Sequence, residues 1–157
     1  MGMRRRTRRR ALVAGAAVAH HRGKVNAEQQ EAPQNYAVLL DAAYEALKRE
    51  GPSDLVIGGN TYTSAGTDNI RPYQWIEYMT LPDGSRPRMD MWGHNPWGNR
   101  RPGITEPPSR NGTVSFPDLE RLVEVLDGAG FPDGPLNLYL SEWGVATGFE
   151  DKDLQQN

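Results

Sequence analysis

Three short apolar runs, each preceded by a stretch of helical periodicity, restrict this chain to a layered α/β fold. In the first helical stretch, Tyr36, Leu39, Leu40, Ala43, Tyr44 and Leu47 recur at helical spacing and predict one apolar stripe. Gly51-Pro52 stops that helix, with Lys48 and Arg49 placed to meet its C-terminal dipole. Residues 54–59 (DLVIGG) then read as a strand buried on both faces. Pro72 can start a second helix carrying Tyr73, Trp75, Ile76 and Met79. A turn follows over 82–87 (PDGSRP), then a second strand over 89–94 (MDMWGH). After a Pro- and Gly-rich loop over 95–114, Ser115 can cap a helix begun by Pro117. Leu119, Leu122, Val123 and Leu126 share one of its faces, and the Gly128/Gly130 pair ends it. Residues 136–142 (LNLYLSE) form the third strand.

Helices alternating with buried strands argue for a parallel sheet. In such folds the functional groups gather where the strands end, on the loops that follow them. That rule selects Asn60 and Thr61, then the run His94-Asn95-Pro96-Trp97, then Glu142 and Trp143. Glu142 is the most informative, because a carboxylate ending an apolar strand is costly to bury unless it is paired or used. Trp92, Trp97 and Trp143 fall at or just beyond the expected strand ends, where an indole can lie against the apolar face of a sugar ring. His94 and Asn95 are candidates to hydrogen-bond hydroxyls or to orient a carboxylate. Trp75 is expected in the core.

The N-terminal segment stands apart in charge. The net charge is −2 over 157 residues, yet residues 4–10 hold six arginines. They precede a nine-residue apolar run over 11–19, a pattern that fits a short secretory signal and weakly favours a secreted protein. A basic extension, or an arm that binds nucleic acid, fits the same arginines. Residues 20–33 lack periodicity and read as a linker, so order is expected to begin after Pro33. The expected organisation is a basic segment over 1–32, one domain over 33–150 and a tail over 151–157. With no cysteine the chain has neither disulfides nor thiolate metal sites.

Three runs together resemble a known family: YAVLLDAAYEALKREGPSDLVIGGNTYT, then PRMDMWGHNPW, then LNLYLSEWG. In order and spacing they resemble the second half of clan-A glycoside hydrolases, particularly actinobacterial cellulase-like and xylosidase-like members. The likeness covers about residues 33–147. It implies a (β/α) barrel of the TIM type, with 56–59 as its fifth strand, 89–94 as its sixth and 136–142 as its seventh. Glu142 would be the nucleophile of a retaining enzyme, and Asn60, His94, Asn95, Trp97 and Trp143 would bind the carbohydrate substrate. No metal or organic cofactor, nucleic acid or membrane is implied.

The sequence departs from the family in one chemical respect. The acid/base glutamate of the family lies in an Asn-Glu-Pro motif, which occurs nowhere in this sequence; Asn26-Ala27-Glu28 is the nearest string. A full barrel takes about 250 residues, so the expected fold is a partial barrel of about three parallel strands alternating with helices. The expected function is a fragment of a glycosidase that is inactive by itself. A truncated, non-catalytic gene product or carbohydrate-binding remnant is the rival reading, and a basic-arm nucleic-acid binder a second. Asn111-Gly112-Thr113 fits a glycosylation sequon, and Ser141 lacks the glycines of a nucleophile elbow. His20, His21 and His94 are too scattered for zinc.

Overall fold

In a computed structural model, residues 26–63, 70–98 and 112–145 are described. The signal-like region over 4–19, His20, His21, Asn111 of the sequon, most of the 95–114 loop and the tail over 151–157 lie outside them.

The first helix, α1 (Ala27–Glu50), starts earlier than expected. The Asn26 side chain accepts from the Gln29 N–H at 2.7 Å, and the Gln29 side chain accepts from the Asn26 N–H at 3.0 Å. This reciprocal pair satisfies two of the donors that every helix start leaves without a partner. The capped helix therefore runs through Pro33, which the sequence suggests as a boundary. Proline removes a rung of the helix ladder, but here its ring is fully buried. The expected apolar stripe divides in two. Tyr36, Leu40 and Tyr44 face the core with Ala37, while Leu39 is 70% and Leu47 49% exposed.

The first strand, β1 (Ile57–Tyr62), lies further along the chain than the apolar run suggested, and only one of its faces is buried. Leu55 stays exposed ahead of it, while the Val56 carbonyl accepts from the Asp90 N–H at 2.9 Å. β1 pairs in parallel with β2 (Met91–Asn95), with Gly58 opposite Trp92 and Thr61 opposite His94. Two residues of β1, Gly59 and Asn60, thus oppose Gly93 alone, which makes a β-bulge. Both take positive φ, 75° and 49°. A Cβ on Gly59 would lie 2.5 Å from the Trp92 ring, and one on Gly93 would lie 3.1 Å from the Asn60 backbone. The Gly-Gly-Asn string is therefore a bulge that fits around an indole and resets the alternation of side chains.

β2 is the middle strand, and β4 (Asn137–Leu140) pairs in parallel on its far side, giving the order β1-β2-β4. The helix α2 (Pro72–Tyr78) begins at its expected proline. A 3-10 turn (Phe116–Asp118) leads into α3 (Leu119–Ala129), where the Ser115 N–H and hydroxyl both donate to Asp118 at 2.9 Å. α3 continues through Gly128 and ends on left-handed Gly130, φ 73°. All three helices send side chains into a single core. Ala37 and Leu40 come from α1, Tyr73 and Ile76 from α2, and Leu122 and Leu126 from α3, around Met89 and Trp92. Each fully buried leucine stabilises the fold by about 2 kcal/mol. The helices form one layer on one face of the sheet. Among the described residues the opposite face is uncovered, with Ile57 38% and Tyr139 45% exposed and Asn137 exposed as well.

Two arginines join these elements. Arg88 forms a bidentate pair with Asp41 of α1 at 2.8 and 2.7 Å, which holds that carboxyl below its ordinary pKa. Arg86, half-buried, donates through Nη1 to Ile76 O at 2.6 Å and Met79 O at 3.0 Å, and through Nε to Ala129 O at 3.2 Å. One guanidinium thus satisfies the last carbonyls of α2 and α3 together.

Candidate functional site

The C-terminal ends of the three parallel strands bring three of the selected residues, Asn60, Asn95 and Glu142, together with Ser141 in a chain of hydrogen bonds. Asn60 comes from the bulge of β1, Asn95 from the last position of β2, and Ser141 and Glu142 from just beyond β4. The Ser141 hydroxyl lies 2.7 Å from Asn60 Oδ1 and in hydrogen-bond contact with Asn95 Oδ1, which also accepts from the Glu142 N–H at 3.2 Å. A hydroxyl has one proton and cannot serve two acceptors. The Glu142 N–H requires an oxygen at Asn95, so Ser141 donates to Asn95 and the Asn60 amide turns its NH2 group towards Ser141. Both lone pairs of the Asn95 amide oxygen are then occupied.

Glu142 is exposed, and its place differs from the sequence reading in one respect. β4 ends at Leu140, so Glu142 follows the strand and does not belong to it. Its backbone is held by a side chain, not by the sheet ladder. Beyond it, β5 (Gly144–Val145) pairs in parallel with β3 (Trp97–Gly98), with Trp97 opposite Gly144. A Cβ on Gly144 would lie 2.6 Å from the Trp97 ring, so the indole lies across that glycine. Trp143 is 65% exposed and stands edge-on to Phe116, with centroids 6.1 Å apart. Both indoles thus lie at the segment that follows Glu142, Trp143 next to it in the chain and Trp97 against Gly144.

His94 does not take the expected place on the substrate side. It is fully buried on the helix-covered face, with Nδ1 2.9 Å from the Thr61 hydroxyl and Nε2 2.9 Å from Val114 O. A carbonyl only accepts, so Nε2 carries the proton and Nδ1 accepts from Thr61. Period-two alternation explains the correction: His94 and Trp92 point to the helices, and Asn95 to the open face. His94 thus ties β1 and β2 to the segment that leads into α3 and has no free nitrogen for a ligand.

Burial pushes the His94 pKa down, against smaller upward effects of the Val114 and Thr61 backbone and of Asp118. In the unfolded chain it titrates near about 6.5, so between the two values the unfolded state binds more protons. Its contribution to stability is complete above the unfolded pKa and is lost as pH falls towards the folded one. We expect urea midpoints to fall as pH is lowered from about 7.5 to about 5.5. In His94→Gln this decline should be largely removed; an unchanged decline would assign it to other groups.

Neither a family model, nor a curated protein, nor a solved structure matches this chain. The chemistry of the site is therefore argued from its own groups. Among the described residues there is no cluster of three or more His, Cys, Asp or Glu side chains able to hold a metal, and no helix long and apolar enough to cross a membrane. The site offers one exposed carboxylate, a polar cluster behind it and indole faces beside it. Ser141 was considered in the sequence only as a hydrolase nucleophile; its bridging role depends on a register that sequence spacing does not reveal.

Proposed function

We propose that the three-stranded sheet is a sector of a (β/α) barrel and that the chain is part of a retaining glycoside hydrolase with Glu142 as nucleophile. The observation that carries this reading is the position of Glu142: exposed, at the C-terminal end of a parallel sheet, between a hydrogen-bonded Ser141 and an exposed Trp143. The barrel reading is supported by strands that follow one another in chain order with, among the described residues, the helices on one face. A doubly wound sheet would place helices on both. Leu39 and Leu47 of α1, apolar yet exposed, fit the flank of such a sector.

In this reading a Glu142 oxygen attacks the anomeric carbon of a bound sugar while the bond to the leaving oxygen breaks. A second carboxyl group, about 5.5 Å away in retaining enzymes, protonates that oxygen. No Asn-Glu-Pro motif supplies it here. The test therefore uses a leaving group that departs without a proton: dinitrophenyl glycosides of glucose and xylose with fluorine next to the anomeric carbon. Attack by Glu142 releases dinitrophenolate and leaves a stable glycosyl ester. Intact-mass and peptide spectra should locate one sugar on Glu142, and Glu142→Gln should show none. No label on the wild-type chain, or equal label on Glu142→Gln, would overturn the assignment.

A further inference from the structure

We propose that Asn95 is a positioning residue that fixes the Ser141-Glu142 turn and so sets the direction of the Glu142 side chain. This deepens the glycosidase reading and rests on it for its catalytic meaning, though not for its geometry. β4 stops at Leu140, and the Glu142 N–H has moved from the ladder onto the Asn95 amide oxygen. The same oxygen holds the Ser141 hydroxyl, so two consecutive residues of the turn are fastened to one atom. That atom is itself well fixed. Asn95 is 9% exposed on the middle strand, and its carbonyl accepts from the Thr63 hydroxyl at 3.0 Å. Asn60, at positive φ in the bulge, holds Ser141 from the other side.

A side-chain acceptor at this position has a consequence that a ladder bond would not. It is chosen by residue type, so its geometry and its charge can be changed independently. Asn95→Ala removes the acceptor. Asn95→Asp keeps an oxygen for both donors but adds a negative charge beside the Glu142 backbone. Protection that returns with Asn95→Asp would therefore belong to the acceptor oxygen and not to the amide NH2 group.

The experiment uses the full chain, isotopically labelled, with hydrogen exchange of the Glu142 amide and scalar couplings that report its χ1 angle. In the wild type the Glu142 amide should be protected. Asn95→Ala should speed its exchange by about tenfold or more, with Gly93 in the ladder unchanged, and should change the χ1 couplings of Glu142, whereas Asn95→Asp should restore both. Ser141→Ala gives a second variant if Asn95→Ala unfolds: it should leave the Glu142 amide bonded to Asn95 and protected. An unprotected Glu142 amide in the wild type, or Glu142 couplings that Asn95→Ala leaves unmoved, would overturn the proposal. Neither readout needs a sugar. Positioning can therefore stand if the labelling test fails, and fall if it succeeds.

Discussion

Replacing Gly59 with alanine should lower unfolding free energy by about 2–5 kcal/mol, a large share of the usual 5–15 kcal/mol of a domain. Two separate costs add at this position. A left-handed conformation costs a residue with a Cβ about 1–2 kcal/mol, and forcing a methyl into a filled core costs about 1–3 kcal/mol more. The methyl would stand 2.5 Å from the ring of Trp92, which is wholly buried and cannot swing out. Gly134 separates the two costs. Its φ is 85°, yet a Cβ there would meet nothing within 4 Å, so Gly134→Ala should show the backbone cost alone. Trp92→Phe should recover part of the Gly59→Ala loss in a double-mutant cycle. Equal effects of the two alanine substitutions in urea melts would show that the indole does not fill the space beside the bulge.

Arg86→Met should be comparably damaging, costing about 3 kcal/mol or more. The methionine keeps much of the apolar stem but removes every donor that reaches Ile76, Met79 and Ala129. Hydrogen bonds to a charged group contribute about 1.5–3 kcal/mol each, and the carbonyls left behind recover only partly through water because the site is half-buried. The guanidinium also sits over the Phe131 ring, 5.7 Å from its centroid, an attraction that methionine retains only in part. Arg86→Lys is the informative control. A single ammonium cannot span both helix ends as the planar fork does, so lysine should restore less than half of the loss. If Arg86→Lys matched the wild type in chemical denaturation, the joining of α2 to α3 would be owed to charge and not to geometry.

The parts of the fold read correctly from the sequence are those in which one local signal acts unopposed. Pro72 marks the start of α2, the Asp-Gly turn leads towards β2, and the leucines of α3 face the core as their spacing requires. The errors arise where two signals compete. Pro33 suggests a boundary, yet the Asn26–Gln29 capping pair upstream of it starts the helix, and burial of the proline ring against the core offsets the missing rung. Leu55 and Val56 suggest a strand, but pairing with β2 begins at Ile57 and continues beyond the bulge to Tyr62, past the end of the apolar run. Leu39 and Leu47 read as core because spacing cannot tell which neighbour an apolar side chain will have.

The strand-end rule places Asn60, Asn95 and the Glu142 turn at strand ends, where the structure also has them. It failed for His94, whose face depends on alternation within a strand whose limits were not yet fixed. The hydroxyl of Ser141 shows the same limit from the other side. Nothing in its local sequence sets it apart, and its role follows only from three strands ending level with one another.

The strands of the main sheet lie side by side in the order in which the ribosome makes them. Each can be laid against a partner already synthesised, so the fold can grow by accretion and no strand must be threaded between two others. A unit added at either margin would leave the middle undisturbed.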